Sequence, residues 1–153
     1  MTQPGKTPSD SQVDSYYLLM PDQANAYGTA FGGVIMAWID MTAAMAAQKH
    51  SGTQIVTASI ESMSFLEPIR IGEHVHLRAR VIYTGHTSMQ VEVRVLRENP
   101  MKNIKGLATT AYLTFVAIDE ENHPVQVAPL LPQTDEERMC YQQAQQRYQS
   151  RKK

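Results

Sequence analysis

The chain has 153 residues, 42% of them hydrophobic, enough for one domain with a buried core and too few for two of ordinary size. Fourteen Lys plus Arg against fifteen Asp plus Glu leave a formal charge of -1, which excludes whole-molecule attraction to nucleic acid or to an anionic membrane. The only cysteine, Cys140, excludes an intramolecular disulfide, and the polar opening MTQPGKTPSDSQ lacks the apolar stretch of a secretory signal, so a cytoplasmic location is expected.

Residues 1–13 read as a flexible N-terminal tail. Asp14 to Met20 (DSYYLLM) then reads as a first strand. A loop from Pro21 to Phe31 leads into a helix over Ala30 to Ala47 that is apolar nearly all the way round and carries one ionisable group, Asp40, in its middle. This run approaches the length of a membrane span, but a span would centre the Asp and draw much of its length from Ala, a weak contributor to insertion. A helix that is hydrophobic on all sides is normally wrapped by other structure, so the run predicts a central helix of a soluble domain.

Four β-rich segments follow: Thr53 to Met63, Glu73 to Tyr83, Ser88 to Arg97 and Gly106 to Asp119. They alternate. Val75, Leu77, Ala79 and Val81 fall on one face with His74, His76, Arg78 and Arg80 on the other, and Val91, Val93 and Val95 alternate with Glu92 and Arg94. Turn signals at Pro68 to Gly72, Thr84-Gly85-His86 and Asn99-Pro100 separate them, with hairpin spacing in the middle. These elements predict an α+β domain over residues 14–133, in which a curved, mainly antiparallel five-stranded sheet wraps the long helix. Beyond the prolines at 124, 129 and 132, residues 134–153 predict a C-terminal surface helix, with Thr134 as N-cap, acidic residues in the first turn and a basic end.

No nucleophile elbow, Walker loop, dinucleotide fingerprint or zinc spacing occurs in the sequence. His74 and His76 share a strand face, but no third ligand stands at a metal-binding spacing, so no metal is expected. Cys140 has no His near it in sequence, which favours packing over nucleophilic chemistry. The loop before the helix is more informative. Asn25 carries a side-chain amide donor, Gly28 permits a tight backbone path, and Gly32-Gly33 lets a ligand approach exposed N–H groups at the helix start. With Asp40 on the same helix, these residues suggest a site for an anion or a carbonyl beside a carboxylate.

The run Asn25-x-x-Gly28-x-x-Phe31-Gly32-Gly33 followed by Asp40, then VTASIESMSFLEPIRIGE and TGHTSM, resembles the hotdog-fold acyl-CoA thioesterases of the acyl-CoA hydrolase group. The similarity runs from about Asp14 to the C-terminal helix. It implies the hotdog fold, a homodimer as the minimal unit, commonly three dimers in a homohexamer, and hydrolysis of acyl-CoA to a free acid and CoA at the dimer interface. No cofactor is implied, because CoA belongs to the substrate. By the resemblance Asn25 and Asp40 fall on the catalytic pair and Thr57 on a threonine beside them. Gly32 and Gly33 would supply the oxyanion donors, and Gly85, Thr87 and Ser88 match a CoA-contacting turn. His86 stands where relatives often carry arginine. Arg94, with Arg97, Lys102 and Lys105, is a candidate for the CoA phosphates, and the acyl chain would lie near Met36, Trp38 or Met63. Two other readings stay open: a hotdog dehydratase, disfavoured because the loop from Pro21 to Phe31 has no His, and a non-enzymatic acyl-CoA sensor, for whose usual fused regulatory domain the length leaves no room.

Overall fold

Strand alternation decides which residues go inside. The computed structural model describes residues 4–151 and orders them as α1 (Pro8–Ser11), β1 (Val13–Leu18), a 3-10 turn (Pro21–Gln23), α2 (Gly32–Ser51), β2 (Gln54–Phe65), β3 (His74–Thr84), β4 (Ser88–Asn99), β5 (Ile104–Ile118) and α3 (Asp135–Arg151). The five strands form one antiparallel sheet in the order β1-β3-β4-β5-β2. On its inner face Val75, Leu77, Ala79 and Val81 of β3, Val91, Val93 and Val95 of β4, and Ala111, Leu113, Phe115 and Ala117 of β5 are fully buried. Each such Val or Leu contributes roughly 1.5–3 kcal/mol relative to exposure.

Helix α2 lies on that face through Ile35, Ile39, Ala43, Ala46 and Ala47, the alanines allowing close approach to the sheet. It runs four residues past the expected end and stops at Gly52, which takes the left-handed conformation (φ 69°) and donates its N–H to the Gln48 carbonyl at 2.7 Å. The sheet does not wrap it completely. Met36, Met41 and Met45 are 44, 53 and 42% exposed, because a single sheet covers only one side of a helix. No helix among the described residues is long and apolar enough to cross a membrane.

Two features of the packing go beyond what the sequence alone implied. The N-terminal segment is docked from Lys6 onward: its backbone bonds to Pro129 and Leu131, and its ammonium sits 2.9 Å from the His50 carbonyl and 3.3 Å from that of Lys49, at the negative end of α2. Thr7 and Asp10 close a capping box around α1, so this stretch has local structure of its own; residues 1–3 lie outside the described residues. The outer face of the sheet is also partly covered. Helix α3, started by the Thr134 hydroxyl accepting from the Glu137 N–H at 3.0 Å, lays Ala144, Tyr141 and Tyr148 over Ile82 and Tyr83. Beneath it Glu92 is only 6% exposed and pairs with Arg80 at 3.4 Å.

His50, fully buried in the last turn of α2, lies 2.7 Å from the Ala128 carbonyl through Nε2, and that acceptor fixes the tautomer with the proton on Nε2. Burial holds its pKa below 6.5, the Ala128 carbonyl opposing and the Lys6 ammonium reinforcing the shift. The unfolded chain therefore takes up this proton first, so stability is present above about pH 6.5 and is lost as pH falls through the folded-state value. The melting temperature is expected to fall between pH 7 and pH 5.5, and in His50→Gln the slope over that window should flatten by up to about 1.4 kcal/mol per pH unit. Thermal melts at constant ionic strength check this; parallel slopes for the two proteins would exclude His50 as the source.

Candidate active site

The loop that enters α2 is closed on itself. The Asn25 side-chain oxygen accepts from the N–H groups of Tyr27 (2.9 Å) and Thr29 (3.2 Å), while its amide lies 2.9 Å from the Thr29 hydroxyl. Backbone bonds from Asn25 to Thr29 and from Gly28 to Asn25 complete the turn, and Gly28 adopts φ 79°, which favours glycine. Asn25 is exposed on this turn, and Thr29, absent from the sequence reading, is what orients its amide. The Asn-x-x-Gly spacing was the available signal.

The start of α2 is open. Its N-cap, Phe31, makes no side-chain cap bond and the first turn carries no acidic residue, so the helix's own first turn leaves the positive end of the dipole without a counter-charge. Gly32 and Gly33 are both exposed, and among the described residues their N–H groups have no acceptor. A side chain at Gly33 would stand 2.8 Å from the Phe31 ring, so glycine keeps this approach clear. The helix end is thus shaped to receive a developing negative charge.

Asp40 lies two turns further along α2 and is half-buried, less enclosed than an all-round apolar helix implied. Its partner is on β2: the Thr57 hydroxyl lies 3.0 Å from Asp40 Oδ1 and donates to it. Thr57 ends a regular run of the β2–β5 ladder, where a bulge separates it from Ser59. Bulges bend a strand and re-aim side chains. Seven residues separate Asp40 from Gly33, about 10 Å along the helix axis. A reacting atom roughly 3 Å from both a base and its oxyanion donors therefore has no position beside these two groups of one chain.

The other expected residues sit elsewhere. Gly85 donates its N–H to the Ser88 carbonyl at 2.9 Å and closes the β3–β4 hairpin, and the Thr87 carbonyl accepts from Ala117 at 3.0 Å. In register, Thr57 faces Phe115 and Phe115 faces Met89, which puts this turn level with Thr57 but two strands away, about 10 Å across the sheet. Arg94 faces outward on β4, opposite Arg78, on the side of the sheet away from α2, so within one chain it is not brought to Asp40. Arg97 is held by the Pro68 carbonyl at 2.8 Å and Glu73 at 3.7 Å, and Lys105 pairs with Glu98 at 3.5 Å. His76 bonds Asp14 at 2.6 Å, and among the described residues no three His, Cys, Asp or Glu side chains are grouped to hold a metal ion.

A long helix laid on one five-stranded antiparallel sheet is the architecture of the hotdog fold. Residues 27–104 match the thioesterase superfamily model. An acyl-CoA thioester hydrolase of Bacillus subtilis is 39% identical over 143 residues, covering 94% of this chain and 83% of that protein, and a cytosolic acyl coenzyme A thioester hydrolase of Rattus norvegicus is 32% identical over 146 residues, covering 93% and 38%. Among solved structures, an apo-hexameric acyl-CoA thioesterase superposes with a TM-score of 0.95 at 38% identity, covering 98% of this chain and 96% of its own. An acyl-CoA hydrolase of Staphylococcus aureus in complex with butyryl coenzyme A gives a TM-score of 0.91 at 41% identity, covering 97% and 91%. The chain belongs to the thioesterase superfamily, among its acyl-CoA thioester hydrolases.

Cys140, on α3, is half-buried, and burial with the nearby Glu92 carboxylate raises its pKa against the thiolate, the Arg80 guanidinium opposing. A thiol held in this form is a poor nucleophile. Cys140→Ser is expected to keep acyl-CoA hydrolysis within about twofold of the parent, measured as free-thiol release; a folded Cys140→Ser protein without turnover would place the chemistry on the thiol.

Proposed function

We propose that acyl-CoA hydrolysis by this chain runs through Asp40, either as the base that activates a water or as the nucleophile that forms an anhydride later opened by water. In both routes the thioester carbonyl carbon is attacked, its oxygen is stabilised by the N–H groups at the start of α2, and CoA thiolate departs and takes up a proton. Asn25 polarises the thioester, and Thr57 positions Asp40. The observation that carries this reading is the 3.0 Å bond from the Thr57 hydroxyl to Asp40, which holds the carboxylate of α2 against β2, the end strand of the sheet.

The site is completed by a second copy. The 10 Å along α2 between the oxyanion donors and Asp40 supports a composite arrangement, in which Asn25 and the helix start of one subunit meet Asp40 of the partner subunit. Exposed apolar residues are available to such a contact, Met36 and Met41 on α2 and Ile60 and Phe65 on the edge strand β2. A hexamer of three dimers is the assembly this reading favours, in keeping with the hexameric thioesterases among similar structures. Gly85, Thr87, Ser88 and Arg94 are proposed CoA contacts; for Arg94, on the outer face, this requires CoA held by a neighbouring dimer.

Asp40→Asn is expected to remain a folded oligomer and to lose a hundredfold or more in kcat, on the order of a removed base or nucleophile. Thr57→Val should cost roughly tenfold in kcat with KM little changed, and Thr57→Ser, which keeps the hydroxyl, should recover most of it. Steady-state thiol release reads both, and turnover near the parent in Asp40→Asn removes Asp40 from the mechanism. The composite site is tested by co-refolding equal amounts of Asn25→Ala and Asp40→Asn. Random pairing makes half the dimers mixed, each with one intact site, so about a quarter of parental activity should return. No recovery, with mixed dimers present by native mass spectrometry, would assign both residues to one chain.

A further inference from the structure

The turn that carries Asn25 is held by backbone bonds from inside and from outside. Within it the Asn25 N–H donates to the Thr29 carbonyl at 2.8 Å, the Gly28 N–H to the Asn25 carbonyl at 3.1 Å and the Phe31 N–H to the Gln23 carbonyl at 2.9 Å. From outside, the Ile69 carbonyl accepts from the Ala30 N–H at 2.7 Å and the Ile71 N–H donates to the Gly28 carbonyl at 3.2 Å, which clips the turn to the segment before β3. None of these bonds uses the Thr29 side chain. Among the described residues its hydroxyl is directed at one group, the Asn25 amide, with Oγ1 2.9 Å from Nδ2 and 3.2 Å from Oδ1.

The donors and acceptors of the amide then fix what Asn25 can offer a ligand. Its Oδ1 accepts from the backbone N–H groups of Tyr27 and Thr29, so the oxygen end faces into the turn and has no lone pair left for a substrate. Its nitrogen carries two protons, and one of them goes to Thr29 Oγ1. A single N–H remains, on an exposed side chain. Hydrogen bonds accepted at the oxygen of an amide polarise it and strengthen the donors at its nitrogen, so this last proton is a better donor than that of a free asparagine. We infer that Thr29 is a positioning residue for acyl-CoA hydrolysis: its hydroxyl holds the nitrogen end of the Asn25 amide and leaves one directed N–H for the thioester. The inference rests on the assignment of Asn25 to the thioester. The two backbone bonds to Oδ1 anchor one end of the amide, and without the Thr29 hydroxyl the other end swings about that anchor. The turn itself keeps its backbone bonds, so the loss falls on the reaction and not on the fold.

The experiment is a double-mutant cycle on kcat, read as free-thiol release from acyl-CoA, with each variant first shown to have the parental circular dichroism and oligomeric size. Thr29→Val should lower kcat about tenfold and leave KM within about twofold, the pattern of an interaction that strengthens in the transition state. Thr29→Ser keeps the hydroxyl and should stay within about threefold of the parent. In the Asn25→Ala background Thr29→Val should change the residual kcat by less than about twofold, because the group it positions is gone; a threonine that only supports the loop would cost the same in both backgrounds. Thr29→Ala runs through the same cycle, so the outcome does not depend on how valine packs. Asn25→Asp keeps an oxygen to accept from Tyr27 and Thr29 but has no N–H, and should lose as much as Asn25→Ala. Parental kcat in folded Thr29→Val and Thr29→Ala, equal losses in the two backgrounds, Thr29→Ser as slow as Thr29→Val, or parental kcat in Asn25→Asp would each overturn the proposal. Parental kcat in Asn25→Ala would remove Asn25 itself from the reaction, whereas a slow Asn25→Ala beside a parental Thr29→Val would remove the positioning role alone.

Discussion

One twisted sheet covers one side of a helix, and α2 is apolar on more than one. Its alanine flank sits against β3 to β5, and Met36, Met41 and Met45 stand exposed at other angles around the helix. Most of the molecule is arranged around that mismatch. Lys6 and Gly52 close the C-terminal end of the helix, His50 ties it to the segment that crosses behind it, and the N-terminal end is left without cap or counter-charge. The end that packing does not need is the end with chemistry to offer.

The position of Asp40 follows from the same geometry. A carboxylate in the middle of a helix whose sides were all enclosed would carry a desolvation cost of several kcal/mol. Here it lies where α2 meets the edge of the sheet, half-buried, with one hydroxyl donor from β2. That single bond orients the carboxylate and leaves its other oxygen available. The rise of the helix separates it from the N–H groups at Gly32-Gly33 by about 10 Å, so within one chain the carboxylate and the open helix start do not face the same point.

Much of this was legible in the sequence because it rests on short-range rules. Alternation in β3 and β4 located the inner face, Thr134 marked the start of α3, and the glycines at 28, 32 and 33 marked the loop and helix start. Other features depend on distant partners. Glu92 reads as a solvated residue until α3 folds over it, and Lys6 reads as tail until its ammonium meets the end of a helix more than forty residues away. The small α1 is a different case, since Thr7-Pro8-Ser9-Asp10 carries the capping-box pattern with proline at the first helical position and was masked by its polar surroundings. Arg94 shows the limit of motif reading: its residue type suits a phosphate, and only the pleat tells which side of the sheet it occupies.

The two irregularities in β2 bear on solubility as well as on the aim of Thr57. As the last strand of the sheet, β2 presents a row of unsatisfied N–H and C=O groups, which in a flat strand of this length would template the addition of any extended chain. Its pairing with β5 is interrupted after Thr57 and after Ile60, leaving regular stretches of four, two and four residues. An intruding strand finds no long straight ladder to copy. The same distortion that bends the strand at Thr57 thus also spoils the edge as a template for chance pairing.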